Sequence, residues 1–326
     1  MPETKKRIVL VTGGAGFIGS HLAEKLLEKG EEVFVIDDLS TGSLENIKHL
    51  QDNQNFHFTK GSVLDEKLVS ETISKIDEIY HLAAAVGVKT VMEKPLDSLL
   101  NNLLGAEIIF KIAVRQRTPV LLASTSEVYG KNGNIPFQED SDRIYGSAYH
   151  ARWGYGMSKG VDEFLALAYF KEKNLPVIIA RLFNVVGPRQ SGSYGMVVPR
   201  FIKQALNNEP VEVYGDGEQT RAFGYVGSVV NALIELVGNQ EKSYGQIFNV
   251  GSDEKISIKD LAQKIIDLTK SRSKIKFIPY TQVYGENFED MRDRQPDLSK
   301  IKKAINYQPI PLIESLQKTI EYFRSH

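Results

Sequence analysis

Tyr155 and Lys159 stand four residues apart in the stretch RWGYGMSK, residues 152–159. Four residues is slightly more than one helical turn, so on a helix the two side chains share a face. A phenol titrates at about pH 10 and is a poor base at neutral pH. A neighbouring ammonium favours the phenolate and lowers that value. The pair is therefore a candidate acid–base device. Taken alone, it also reads as an aromatic and a lysine on an ordinary amphipathic helix.

A second candidate is TGGAGFIGS, residues 12–20, which contains Gly14-x-Gly16-x-x-Gly19 and Gly13-x-x-Gly16-x-x-Gly19. It follows a predicted strand and opens a predicted helix, the context in which such glycines hold a pyrophosphate at a helix N-terminus. Asp37 ends the next predicted strand, where a carboxylate meets the adenosine ribose of a dinucleotide. Asp38 follows it, and two carboxylates there would repel a 2′-phosphate. The reading is NAD rather than NADP.

The elements that position these residues are legible as patterns. RIVLVT (7–12) and EVFVID (32–37) are apolar runs of strand length, and similar runs lie near 78–84, 119–125 and 176–182. Helical patterns lie between them, including 99–115 and 155–173. Such alternation predicts an α/β fold with a Rossmann-type doubly wound parallel sheet. After about residue 183, Gly, Pro and Arg punctuate shorter elements, which suggests a smaller mixed α/β C-terminal domain. One strand there, QIFNVGS, is placed to return to the first sheet.

Composition narrows the function. The chain has 326 residues, 42% hydrophobic and 25% charged, with formal net charge −1. That balance offers no electrostatic case for nucleic acid or an anionic membrane. The absence of cysteine excludes thiol nucleophiles and cysteine-ligated metals. The six histidines are scattered without metal-ligand spacing, so no metal is expected. No apolar run approaches the length of a membrane span. The N-terminal stretch lacks the pattern of a signal peptide, and a cytoplasmic location is the expectation.

Taken in order, TGGAGFIGS, HLAA (81–84), STSEVYG (124–130), YGMSK (155–159), ARLFNVVGPRQ (180–190) and RAFGYV (221–226) resemble the extended short-chain dehydrogenase/reductase family of nucleotide-sugar enzymes. The resemblance implies an NAD-binding domain over residues 1–182, with a returning segment near 225–250, and a nucleotide-sugar-binding domain over 183–326. It makes Tyr155 the base and Lys159 its partner, with Ser124, Thr125, Ser126 and Glu127 around the reacting carbon. It assigns the cofactor to Gly13, Gly16, Phe17, Ile18, Gly19, Asp37 and Asp38. Leu39, Ser40, Thr41 and Gly42 continue that contact. Val63, Leu82, Ala83, Ala84, Asn102, Tyr155, Lys159 and Leu182 complete it. The sugar nucleotide is assigned to Val88, Lys89, Ser126, Glu127, Asn184 and Arg189, and along the second half to Val197, Val198, Val213, Tyr214, Arg221 and Arg294. A UDP-sugar substrate and a homodimer built on two helices per subunit are also implied. Two departures stand out: Ser62 replaces an aspartate common in relatives, and RAFGYV carries Ala222 and Gly224 where relatives often have an acidic and a larger residue.

Enzymes of this family begin by oxidising C4 of the sugar to a ketone, and the fate of that ketone depends on few extra groups. Glu127 is the discriminating residue, since simple 4-epimerases often have a small residue there. RWGYGMSK and YGENFEDMRDRQPD resemble segments of the bacterial UDP-glucuronate decarboxylase domain of lipid A modification. Against that, the segment around the tyrosine in typical UDP-xylose synthases differs from YGMSK. The leading expectation is a UDP-sugar 4-epimerase acting on UDP-glucose or UDP-glucuronate. UDP-glucuronate decarboxylase is the alternative, then a 4,6-dehydratase, then a non-catalytic NAD(H)-binding protein.

Overall fold

The computed structural model describes residues 6–85, 88–192, 195–285 and 289–326, with the side chains of residues 88–90 outside that set. Six apolar segments form β1 (Ile8–Thr12), β2 (Glu32–Asp37), β3 (Phe56–Lys60), β4 (Glu78–His81), β5 (Val120–Thr125) and β6 (Val177–Leu182). The returning strand Gln246–Val250 pairs in parallel with β6. The order β3-β2-β1-β4-β5-β6-returning strand makes a seven-stranded, wholly parallel sheet. Such strands are apolar on both faces because helices cover both.

One face packs against α1 (Phe17–Glu28) and the helix Val226–Gly238, through residues such as Leu22, Leu26, Val229 and Leu233. The other packs against α2 (Glu66–Ile73), α4 (Pro95–Ala113) and α5 (Arg152–Lys173). Between α2 and α4 lies the short α3 (Val88–Glu93). Helix α5 begins three residues earlier than the apolar period alone suggests, so Arg152 and Trp153 form its first turn. Leu298, Ile301 and Tyr307 also belong to the first core. Chain order alone groups them with the sugar half, but their apolar side chains close the sheet edge beside the returning strand.

A third core joins the helices Val197–Leu206, Ile258–Thr269 and Leu312–Ser325. It carries small sheets, one of which sets Asp293–Arg294 in parallel beside Thr220–Ala222. Strand order reverses between β1 and β4, and the strand ends Thr12, Asp37, His81, Thr125 and Leu182 share one edge. In open α/β sheets ligands bind outside that edge. Among the described residues no helix is long and apolar enough to cross a membrane.

Candidate active site

A cleft of about 710 Å³ runs along this edge, from the glycine loop to the third core. At its first end Gly13 turns the chain with φ +72°, and a Cβ there would sit 2.8 Å from the Ala83 backbone nitrogen. Only glycine lets β1 and β4 approach this closely. Helix α1 starts at Gly16 with no side-chain cap, so its first N–H groups face the cleft for a ligand to satisfy. Asp37 accepts hydrogen bonds from the amides of Ala15 at 2.9 Å and Leu39 at 2.8 Å. Burial pushes its carboxyl up, with these amides acting against the shift. Each oxygen keeps a lone pair for a ribose hydroxyl. Asp38 lies exposed and accepts from the Ser40 amide. Open amides at a helix start and an acidic strand end fit the pyrophosphate and ribose of a dinucleotide.

Thr125 ends β5 and begins the turn Ser126–Tyr129, where its hydroxyl accepts from the Glu127 amide at 3.2 Å. Gly156 lets α5 press against this turn, since a Cβ there would lie 2.5 Å from the Glu127 carbonyl oxygen. The Tyr155 phenol consequently meets the Thr125 hydroxyl. Burial, then the charges of Glu127 and Asp162, push the phenol well above its ordinary value, and the Thr125 hydrogen bond and Arg152 only partly offset them. Lys159 is nearly inaccessible and pairs with Asp162 at 2.9 Å. The lysine does not by itself make Tyr155 acidic in the ligand-free protein.

Around Tyr155 lies a buried charge cluster. Arg152 pairs with Glu127 and lies 3.5 Å from Asp290. Arg294 reaches Glu127 at 3.4 Å and Asp290 at 3.7 Å. Arg221 binds Asp290 at 2.8 Å. The parallel pairing that sets Arg294 opposite Arg221 brings these two cations together. Burial alone would raise the Glu127 carboxyl, but Arg152 and Arg294 outweigh it and hold it below the ordinary carboxylate range. Arg294 is pushed down to about 10 by burial, with the charges of Arg221 and Arg152 adding to it and Glu127 opposing. Among these five groups three are cationic and two anionic. The Nε atoms of Arg152 and Arg294 are buried without a hydrogen-bond partner among the described residues.

Most of the expected residues line this cleft. They include Gly13, Gly16, Phe17, Ile18, Gly19, Asp37, Asp38 and Ser40–Gly42 at the first end. Val63 and Leu82–Ala84 lie beside them, and farther along stand Thr125, Ser126, Glu127, Tyr155, Leu182, Asn184, Val197, Val198, Tyr214, Arg221 and Arg294. Several expectations need correction. Leu39 packs on the first core instead. Val213 lies fully inside the third core, on the inward side of its strand. Asn102 is buried behind the wall, donating to Ser158 and accepting from the Ala85 amide. Ser124 lines the cleft as expected, with its hydroxyl donated to buried Glu163. Arg189 lines the cleft but engages Glu24 and His21 of α1 and the Asn46 carbonyl, tying its loop to the first core. Val88 and Lys89 lie outside the described side chains. Of the departures, Ser62 lines the cleft and caps the Leu64 amide. Gly224 lies so near Gly251 that a Cβ would stand 2.9 Å from its Cα.

Arg152 and Asp290 are not among the residues expected from the sequence. Arg152 stands three residues before Tyr155, one helical turn away, and that spacing is a signal the sequence carries. Asp290 needs the tertiary fold.

The family model described as GDP-mannose 4,6 dehydratase matches residues 10–320. The chain belongs to the extended short-chain dehydrogenase/reductase family of nucleotide-sugar enzymes. A UDP-N-acetyl-alpha-D-glucosaminuronate decarboxylase of Bacillus cytotoxicus is 42% identical over 98% of both chains. UDP-glucuronic acid decarboxylase 1 of Danio rerio is 38% identical over 99% of this chain and 74% of its own. Among solved structures, a UDP-glucuronic acid 4-epimerase from Bacillus cereus, in complex with UDP-glucuronic acid and NAD, superposes with a TM-score of 0.88. It is 29% identical over 98% of this chain and 99% of that one. This family member is an NAD-dependent enzyme that modifies nucleotide sugars.

Proposed function

We propose that the chain decarboxylates a UDP-linked hexuronic acid. The observation that carries this reading is the buried excess of arginine over carboxylate beside Tyr155. A neutral hexose brings no anion of its own beside Glu127 and Tyr155 and leaves only the diphosphate to meet that charge, and an unmatched buried cation is costly. A uronate carboxylate supplies the missing anion, and Arg294 is the cation most in need of one. The decarboxylase names of the relatives support the same reading and reverse the order of the two leading expectations.

In this reading Thr125 holds the C4 oxygen and Tyr155, as phenolate, takes the C4 hydroxyl proton. The glycine loop and Asp37 would hold NAD, which when bound would supply the hydride acceptor and donor for C4. Oxidation makes a 4-keto acid whose C5–carboxylate bond breaks. CO2 leaves, and the electron pair moves onto the C4 oxygen as an enolate. A proton is then taken up at C5, hydride returns to C4, and Tyr155 gives its proton back. The net change is one proton consumed and one CO2 released.

The test is incubation with NAD and either UDP-glucuronate or UDP-N-acetylglucosaminuronate, with mass and NMR analysis of the products. Release of CO2 with a five-carbon sugar nucleotide is expected. UDP-galacturonate at unchanged mass would establish instead 4-epimerisation, the reading favoured by the Bacillus cereus neighbour. No reaction with either uronate would overturn both.

The proposed assembly is a dimer. Leu96, Leu100 and Leu104 of α4 and Met157, Val161 and Phe164 of α5 are exposed, and Leu96 and Phe164 are 66% and 68% accessible. Their spacing makes one apolar strip along each of two packed helices. A second copy of the chain presents the matching surface. Light scattering should give twice the 36.5 kDa chain mass. Leu100→Glu with Phe164→Glu should halve the observed mass, and a monomeric wild-type protein would refute the assembly.

A further inference from the structure

Asp162 is fully buried on α5, one turn beyond Lys159, and the expected acid–base set gives it no role. Its Oδ2 lies 2.9 Å from the Lys159 ammonium, and neither carboxylate oxygen has a further hydrogen-bond partner among the described residues. An unshared buried carboxylate is expensive, so it is held there by the lysine it faces. We propose that Asp162 is a positioning residue that acts through Lys159, fixing its ammonium on the helix and cancelling its charge as Tyr155 meets it.

The surrounding groups sharpen this assignment. Tyr155 faces Thr125 and Glu127 from the end of β5, and Arg152 from its own helix. Lys159 faces His81 at the end of β4, which burial and then the ammonium push down to about 3. His81 is therefore neutral and shares a hydrogen bond with Thr12. Asp162 is flanked by Glu163, whose carboxylate is committed to Arg143 and Arg181. The Asp162 charge pushes the Tyr155 phenol up, and the Lys159 ammonium it faces works against that charge. Removing the carboxylate alone leaves a bare ammonium one turn from the phenol. Removing both charges takes away both opposing effects at once.

The proposal rests on the reading of Tyr155 as the base, but its test does not depend on which sugar product forms. In kcat/KM against pH for UDP-glucuronate, the acidic limb should move down by about one pH unit in Asp162→Asn. Asp162→Glu, which keeps the charge, should restore the limb towards its wild-type position. A limb that stays in place or moves up in Asp162→Asn would overturn the proposal. A structural role alone would lower activity without moving the limb. If wild type turns over no uronate, or if Asp162→Asn does not fold, the phenol is titrated directly. Tyrosinate absorbance is measured against pH with NAD bound, taking the difference from Tyr155→Phe in each background. Lys159→Gln should raise the midpoint, and adding Asp162→Asn to it should bring the midpoint back down. A double variant that titrates like Lys159→Gln would also overturn the proposal.

Discussion

Tyr155→Phe should lower turnover of UDP-glucuronate by roughly 10²–10⁴-fold, the usual contribution of a positioned general acid–base group. The substitution removes one oxygen and keeps the ring against α5 and the turn after β5. Substrate affinity, measured by calorimetry with NAD present, should change little. The pH profile supplies an independent signature. In wild type the phenol must lose its proton to act, and burial with Glu127 and Asp162 pushes it up. Activity should therefore climb as pH rises, and the residual activity of Tyr155→Phe should lose that climb. Retention of more than about a tenth of wild-type activity, against the same range, would show that another group is the base.

Much of this arrangement is legible without coordinates because local rules dictate it. The run IVLVT followed by GGAGFIG can satisfy its backbone only as a buried strand, a tight turn and a helix start. Asp37 ends the second such strand, so its place beside the loop is a consequence of parallel pairing. Tyr155 and Lys159 share a helix, and their common face is set by spacing. The charge cluster is different in kind. Glu127, Arg152, Asp290 and Arg294 come from a turn, a helix start, a distant loop and the strand after it, and their meeting depends on how the third core seats on the first. Alternation cannot place Val213 either, since the inward face of a short strand is decided by the helices above it. Asp162 gives no signal in the sequence, because a carboxylate one turn from a lysine reads as an ordinary surface pair and only burial gives it meaning. The return of Leu298–Tyr307 to the first core likewise has no signal beyond apolar spacing.

The second large effect is expected at Arg294, and it separates charged from neutral substrates. Arg294→Met leaves two arginines against Glu127 and Asp290, so the excess positive charge disappears. A hydrogen bond to a charged group is worth about 1.5–3 kcal/mol. KM for UDP-glucuronate should therefore rise roughly tenfold to a hundredfold, while binding of UDP-glucose should change far less. Arg294→Lys keeps the charge without the planar fork and should recover only part of the loss. Glu127→Gln acts in the opposite electrostatic sense: it adds to the positive excess, and it removes the carboxylate that holds Arg152 and Arg294 in place. Affinity for the uronate should hold or improve while kcat falls, because the arginines are no longer oriented as the C5–carboxylate bond breaks. In a simple epimerase of a neutral hexose, Glu127→Gln would change the rate little. Steady-state kinetics of both variants with UDP-glucuronate, and binding of both nucleotides, decide the matter. If Arg294→Met weakens UDP-glucose and UDP-glucuronate equally, the arginine serves the diphosphate and the case for a uronate loses its main support.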